Sequence, residues 1–86
     1  MYKIIYSSQA QKDAKKADRA GLKNNIEKLI KILENNPYQN PPPFEKLIGD
    51  LLGIYSRRIN IQHRLLYQIY ENEKTVKIIR MWTHYE

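Results

Sequence analysis

Residues 55 to 70 read YSRRINIQHRLLYQIY. Ile59, Ile61, His63, Leu65, Tyr67 and Ile69 alternate there with Arg58, Asn60, Gln62, Arg64 and Gln68. A period of two turns one set of side chains to each face of a strand. Leu66 and Tyr70 break the alternation. A reversal near Gln62 divides the run into two antiparallel strands, expected over about 54–61 and from there through Tyr70. The run carries Arg57, Arg58, His63 and Arg64 and no acidic residue, so a sheet built from it presents cationic side chains on stiff backbone, a surface suited to an anion. Arg57 and Arg58 are adjacent and point to opposite faces, so at most one of them lines a given site.

Working outward, Glu71–Lys74 reads as a turn and the segment from Thr75 to about Thr83 as a last strand, which completes a three-strand antiparallel meander. On the other side, PYQNPPP at 37–43 can neither continue a helix nor occupy a central strand, so it is an extended connector leading into Phe44-Glu45-Lys46-Leu47. Before it, Leu22, Ile26, Leu29, Ile30 and Leu33 form the apolar stripe of a helix that Asn36-Pro37 stops. Ala10, Ala14 and Ala17 give an earlier helix a narrow small-residue face; Ser8 and Gln11 have capping-box spacing at its start and Gly21 ends it. Tyr2–Tyr6 reads as a first strand, expected to be central because both its faces are apolar. Strand, helix, helix and meander make an α+β two-layer sandwich, with the helical hairpin on one face of the sheet and the other face partly open.

Eighty-six residues make a single domain, 1–86. The absence of cysteine rules out disulfides and thiolate metal sites and fits a reducing cytoplasm. No apolar run approaches the ~18 residues of a membrane span, and MYKIIYSS is too short for a secretory signal, so a soluble chain with no membrane partner is expected. The formal charge of +6 and a pI near 9.6 favour a polyanionic partner. Lys12 to Lys31 holds seven basic and three acidic residues, which fits equally a solvated helical face and one that contacts a polyanion such as ribosomal RNA.

Three scattered glycines form no phosphate-cradling loop, and two histidines without cysteine or paired carboxylates at ligand spacing offer no metal site. No serine stands in a nucleophile-elbow context. What is left is acid–base chemistry without a cofactor. On RNA that chemistry needs a base for the ribose 2′-OH, a cation for the charge on phosphorus and an acid for the leaving 5′-oxygen. Glu45 can serve as base, an arginine as phosphate clamp and a histidine as acid. Each has a plainer reading as well: Glu45 as a surface charge beside Lys46 or an arginine, His63 as a hydrogen-bonded, partly buried residue, His84 and Tyr85 as a fraying or stapled chain end.

The run YSRRINIQHRLLYQIY, the preceding FEKL and the closing WTHYE resemble the YoeB/Txe branch of the RelE-type toxins of bacterial toxin–antitoxin systems. The likeness spans the chain in length and element order and is most specific over residues 44–86. It implies a ribosome-dependent messenger RNA endoribonuclease that works without metal in the decoding site and leaves a 2′,3′-cyclic phosphate and a 5′-hydroxyl. Residue by residue, it implies Glu45 as general base, Arg64 as phosphate and transition-state clamp, His84 as general acid and Tyr85 as the aromatic that orients substrate or acid. The pair Arg57 and Arg58 would assist at the phosphate, and His63 would be structural. It also implies a YefM/Axe-type antitoxin whose flexible carboxy-terminal segment folds over the toxin, and is compatible with a homodimer. A binding module of the same fold, or a toxin that is not a nuclease, is the alternative. The departures are the composition of PYQNPPP, where the family has a glycine-containing connector, and the added Glu86.

Overall fold

The residue pattern that builds the helical layer begins at Ser7. Its hydroxyl accepts the Ala10 N–H at 3.0 Å and donates to the Ile79 carbonyl at 2.8 Å, so one side chain caps helix α1 (Ser8–Arg19) and ties its start to the sheet. The cap is thus Ser7 rather than Ser8, and Gln11 reaches back to the Tyr6 carbonyl at 3.4 Å instead of closing a capping box. Gly21, at φ +78°, makes the left-handed turn that a side chain disfavours and opens into α2 (Lys23–Asn35).

The computed structural model describes residues 1–49 and 53–83, the last by its backbone. Around the helices stand β1 (Lys3–Tyr6), β2 (Phe44–Lys46), β3 (Tyr55–Arg58), β4 (Arg64–Tyr70) and β5 (Thr75–Thr83), in one sheet of order β1-β5-β4-β3-β2. The architecture is the expected α+β sandwich, and it differs from expectation at three places. Strand β1 is not central: it lies at the sheet edge, parallel to β5, with Tyr6 41% exposed. Its apolar residues lean on the helical layer from the rim, while β5, paired on both sides, takes the interior position. Phe44–Lys46, which follows the connector and was not expected to be a strand, is a strand antiparallel to β3, so the meander has one strand more than expected. Strand β3 stops at Arg58 instead of continuing to Ile61, because the chain turns there and leaves Ile61 89% exposed. The Asn60 side chain holds that turn by accepting the Gln62 and His63 N–H groups.

The core lies between the layers. Ala10 and Ala17 of α1 and Ile26, Leu29 and Leu33 of α2 meet Leu65, Tyr67, Val76, Ile78 and Met81 of the central strands. The small face of α1 lets that helix sit close to β5, and within it Asp13 is fully buried. Its carboxylate accepts Arg80 Nε at 2.8 Å, the Met81 N–H at 3.1 Å and Gln9 Nε2 at 2.9 Å. Burial pushes its pKa up, but the hydrogen bonds from Arg80, Gln9 and Met81 outweigh burial and hold the carboxyl below its usual value. The pairing of β4 with β5 shifts register between Arg64 and Tyr67, in the stretch where β5 contributes Arg80. Asp13 therefore fastens α1 to an irregular part of the sheet.

Two further clusters fix the loops. Glu71 accepts the Tyr2 hydroxyl at 2.9 Å and the Tyr38 hydroxyl at 2.8 Å and pairs with Lys74, which joins the amino-terminal segment, the connector and the β4–β5 turn. Lys74, Tyr2 and Tyr38 together lower the Glu71 pKa to about 2. Desolvation and then the Glu71 carboxylate push the Tyr38 phenol up to about 12. The other cluster is built on Arg57.

Candidate active site on the open sheet face

Strand register assigns the faces. Glu45 lies opposite Ser56, Ser56 opposite Leu66, and Arg58 opposite Arg64, so Glu45, Ser56, Arg58 and Arg64 share one face. Phe44 lies opposite Arg57 and Arg57 opposite Leu65, which turns those side chains to the helical side. The sheet thereby sorts the predicted site residues into two groups.

On the open face, Arg64 Nη1 is 3.5 Å from Glu45 Oε1 and 3.4 Å from Ser56 Oγ. The Arg64 side chain is 19% exposed and that of Glu45 61% exposed, so the guanidinium is recessed and the carboxylate stands at the rim. Ser56 is buried between them in register. The Glu45–Arg64 contact is long for a charge-assisted hydrogen bond, which is shorter than about 3 Å when formed bidentately. The carboxylate thus keeps acceptor capacity and the guanidinium keeps donors. Arg58 is exposed and faces Arg64 directly across the strands, an arrangement of like charge that costs stability until an anion lies between them. Among the described residues Arg58 has no ion-pair partner.

Arg57 belongs to the other group. It is 1% exposed, donates Nε to the Tyr67 hydroxyl at 2.9 Å, and gives its remaining bonds to the carbonyls of Pro42 (2.6 Å), Gln39 (2.8 Å) and Pro37 (3.0 Å). Its guanidinium also lies 4.9 Å from the centre of the Phe44 ring. A phosphate cannot reach it, and the expectation that Arg57 binds RNA is corrected accordingly: it is a structural residue of the connector. Burial raises the Tyr67 pKa and the neighbouring Arg57 opposes that rise without cancelling it, so the phenol stays protonated while it accepts from Nε.

His63 is buried and stacks on Trp82 with ring centroids 3.9 Å apart and planes at 19°. It is packed rather than offered to substrate. His84 and Tyr85, expected as acid and orienting aromatic, lie outside the described residues, as does Glu86. The described chain reaches Thr83, whose Cα pairs with Arg64. Ser56 escaped the sequence reading because one serine in a strand looks like any other; the spacing that could have flagged it is its position one residue before the arginine pair, on the face of Arg58.

No group of three or more His, Asp or Glu side chains able to hold a metal comes together among the described residues. A concavity of about 640 Å³ lies between the helices and is lined by Ala14, Ile26, Ile30 and Met81 among others. It shares no residue with the Glu45–Arg64 site, which is an open charged surface rather than a pocket. No described helix is long and apolar enough to cross a membrane.

The chain is similar in sequence and fold to known proteins. Residues 6–85 match the family model of the YoeB-like toxin of bacterial type II toxin–antitoxin systems. Toxin YoeB of Synechocystis is 38% identical over 61 residues, 71% of this chain and 69% of that protein. A YoeB/ParE toxin from Agrobacterium tumefaciens superposes with a TM-score of 0.87 at 27% identity, covering 96% of this chain and 99% of the other. The YoeB of a heterotetrameric YoeB–YefM complex from Staphylococcus aureus superposes with a TM-score of 0.81 at 33% identity over 99% of both chains. With a sheet, a helical hairpin and a family match that together span nearly the whole sequence, this chain belongs to the YoeB-like toxin family of bacterial type II toxin–antitoxin systems.

Proposed function

We propose that the chain is a ribosome-dependent messenger RNA endoribonuclease that cuts in the decoding site by general acid–base catalysis without a metal. The observation that carries this reading is the Glu45 carboxylate 3.5 Å from the recessed Arg64 guanidinium, beside an exposed Arg58. A phosphate entering between the two arginines competes for Arg64 and frees Glu45 to accept the proton of the adjacent ribose 2′-OH. The 2′-oxygen then forms its bond to phosphorus. Arg64, aided by Arg58, offsets the charge that builds on the phosphoryl oxygens. His84 protonates the departing 5′-oxygen, and Tyr85 orients it. The products are a 2′,3′-cyclic phosphate and a 5′-hydroxyl, with the proton taken by Glu45 balanced by the one His84 gives. Thr83, the residue before His84, pairs with Arg64 in the sheet, which is compatible with acid and clamp acting on one phosphodiester.

The partner of this site is a YefM-type antitoxin, as in the Staphylococcus aureus complex. An acidic, flexible segment laid across Arg58 and Arg64 neutralises the clamp and excludes RNA. The lysine-rich outer faces of α1 and α2 are the natural contact for ribosomal RNA.

The test is primer extension on programmed ribosomes. Wild-type protein should cut within the decoding-site codon, and Glu45→Ala, Arg64→Ala and His84→Ala proteins with intact folds should not. A message carrying a single 2′-deoxyribose at the scissile position should stay whole. Uncut natural message with the wild-type protein would sink the proposal. Growth arrest that survives loss of both Glu45 and His84 would move the reading to a toxin that acts by binding alone.

A further inference from the structure

We infer that Arg57 is a positioning residue for Glu45: its buried guanidinium sets where the base stands relative to Arg64. This inference rests on the proposed roles of Glu45 and Arg64 and assigns the device that holds them in register.

Glu45 sits on a strand of only three residues at the edge of the sheet. Such a strand has little pairing of its own to hold it, and the segment before it, Pro41 to Pro43, has no backbone N–H to donate to a neighbour. What that segment does offer is carbonyl oxygens. A guanidinium carries five donors and no acceptor, and Arg57 directs its Nη atoms at the Pro42 carbonyl in that segment and at the Pro37 and Gln39 carbonyls earlier in the connector, all within 2.6–3.0 Å. The same group stacks over Phe44, the residue next to Glu45 and the register partner of Arg57 itself. Its remaining Nε bond goes to Tyr67 on the central strand β4. Arg57 therefore ties connector, edge strand and sheet interior at one point. On the opposite face its neighbour Ser56 stands in register with Glu45 and touches Arg64. Moving the connector moves β2 against β3, and with it the 3.5 Å separation of Glu45 from Arg64.

A carboxylate displaced by about 1 Å can lose on the order of 100-fold in rate while substrate still binds. Arg57→Lys keeps the charge but loses the planar fork that serves Tyr67 and the three carbonyls at once. Tyr67→Phe keeps the ring stack with Tyr55 and removes only the acceptor for Nε. Each is compared with wild type by single-turnover cleavage on programmed ribosomes across a range of toxin concentrations, with the folded fraction fixed by circular dichroism and thermal melting. The expected result for Arg57→Lys is a fall of roughly 10- to 100-fold in the maximal rate, with half-saturation unchanged within about twofold. For Tyr67→Phe the fall is smaller, about three- to tenfold, in the same parameter. Adding Glu45→Gln to either variant should cost less than it does in wild type, because a misplaced base has less to lose.

A role in stability alone predicts otherwise. The rate per folded molecule would stay at the wild-type value and the Glu45→Gln effect would be undiminished, and either result overturns the inference. If Arg57→Lys does not fold, Tyr67→Phe decides by the same two readouts. Full cleavage by Glu45→Gln in the wild-type background overturns the assignment of the base and this inference with it. Loss of cleavage in Glu45→Gln with wild-type rates in both Arg57→Lys and Tyr67→Phe overturns this inference alone.

Discussion

Three arginines stand around the site at two adjacent register positions, and each does a different job. Arg64 is recessed and shared between Glu45 and Ser56, Arg58 is exposed, and Arg57 is sealed under the connector. The alternation in the sequence was enough to say that Arg57 and Arg58 point to opposite faces. It could not say which face is open, because that depends on where the helices and the proline connector pack. Replacing Arg64 by alanine removes a preorganised donor at the phosphate and should lower single-turnover cleavage by about 100- to 1000-fold. Asp13 is the second residue whose role periodicity hides: it falls within the alanine face of α1, and its partner Arg80 lies far along the chain. Asp13→Asn leaves Arg80 and the Met81 N–H facing a neutral amide in a buried site and should cost about 3 kcal/mol in chemical denaturation. The folded-state pKa of Asp13 is lowered, so the wild-type carboxylate contributes stability above its unfolded pKa and loses it as pH falls through the folded value. Stability measured against pH should accordingly fall more shallowly on the acid side in Asp13→Asn than in wild type.

At the scale of elements, the two helices were legible from their apolar faces, β4 from an alternation that only Leu66 and Tyr70 break, and β5 from its place after the turn at Glu71–Lys74. Leu33, fully buried where α2 meets the sheet, should cost about 3 kcal/mol when cut to alanine, and Ser7→Ala, which removes the α1 cap, about 1 kcal/mol. Urea denaturation with an unchanged slope would verify both. Strand β2 was not legible, since Phe-Glu-Lys is too short to show a period and follows three prolines. Its strand character comes from β3 beside it and from Arg57, both supplied by later sequence. The edge position of β1 was hidden for a related reason: a short apolar strand lying under a helical layer reads the same at the rim as in the centre. The β4–β5 turn is held through Glu71, whose pKa of about 2 lies below its unfolded value. The ties from Tyr2, Tyr38 and Lys74 hold at neutral pH and weaken as pH drops toward that value. Amide protection factors in this turn and in the connector, corrected for the intrinsic exchange rate at each pH, should fall in acid before those of the core.

The whole molecule separates two kinds of surface. One face of the sheet is covered by helices whose outer sides are rich in lysine; the other presents exposed Arg58 and Glu45 beside the recessed Arg64. A chain with net charge +6 docking on a ribonucleoprotein should lose affinity steeply with added salt, in proportion to the phosphates contacted. Charge reversal at Lys12, Lys15 and Lys16 should flatten that salt dependence and weaken ribosome binding, while the cleavage rate at saturation is retained. That separation of binding from chemistry is what the two faces imply. The most direct measurement is the single-turnover rate of message cleavage on programmed ribosomes by wild-type, Glu45→Gln and Arg64→Ala proteins of verified fold. The expected result is a wild-type cut in the decoding codon ending in a 2′,3′-cyclic phosphate, with rates at least about 100-fold lower in each variant. Cleavage by both variants at the wild-type rate would contradict the assignment of chemistry to the open sheet face.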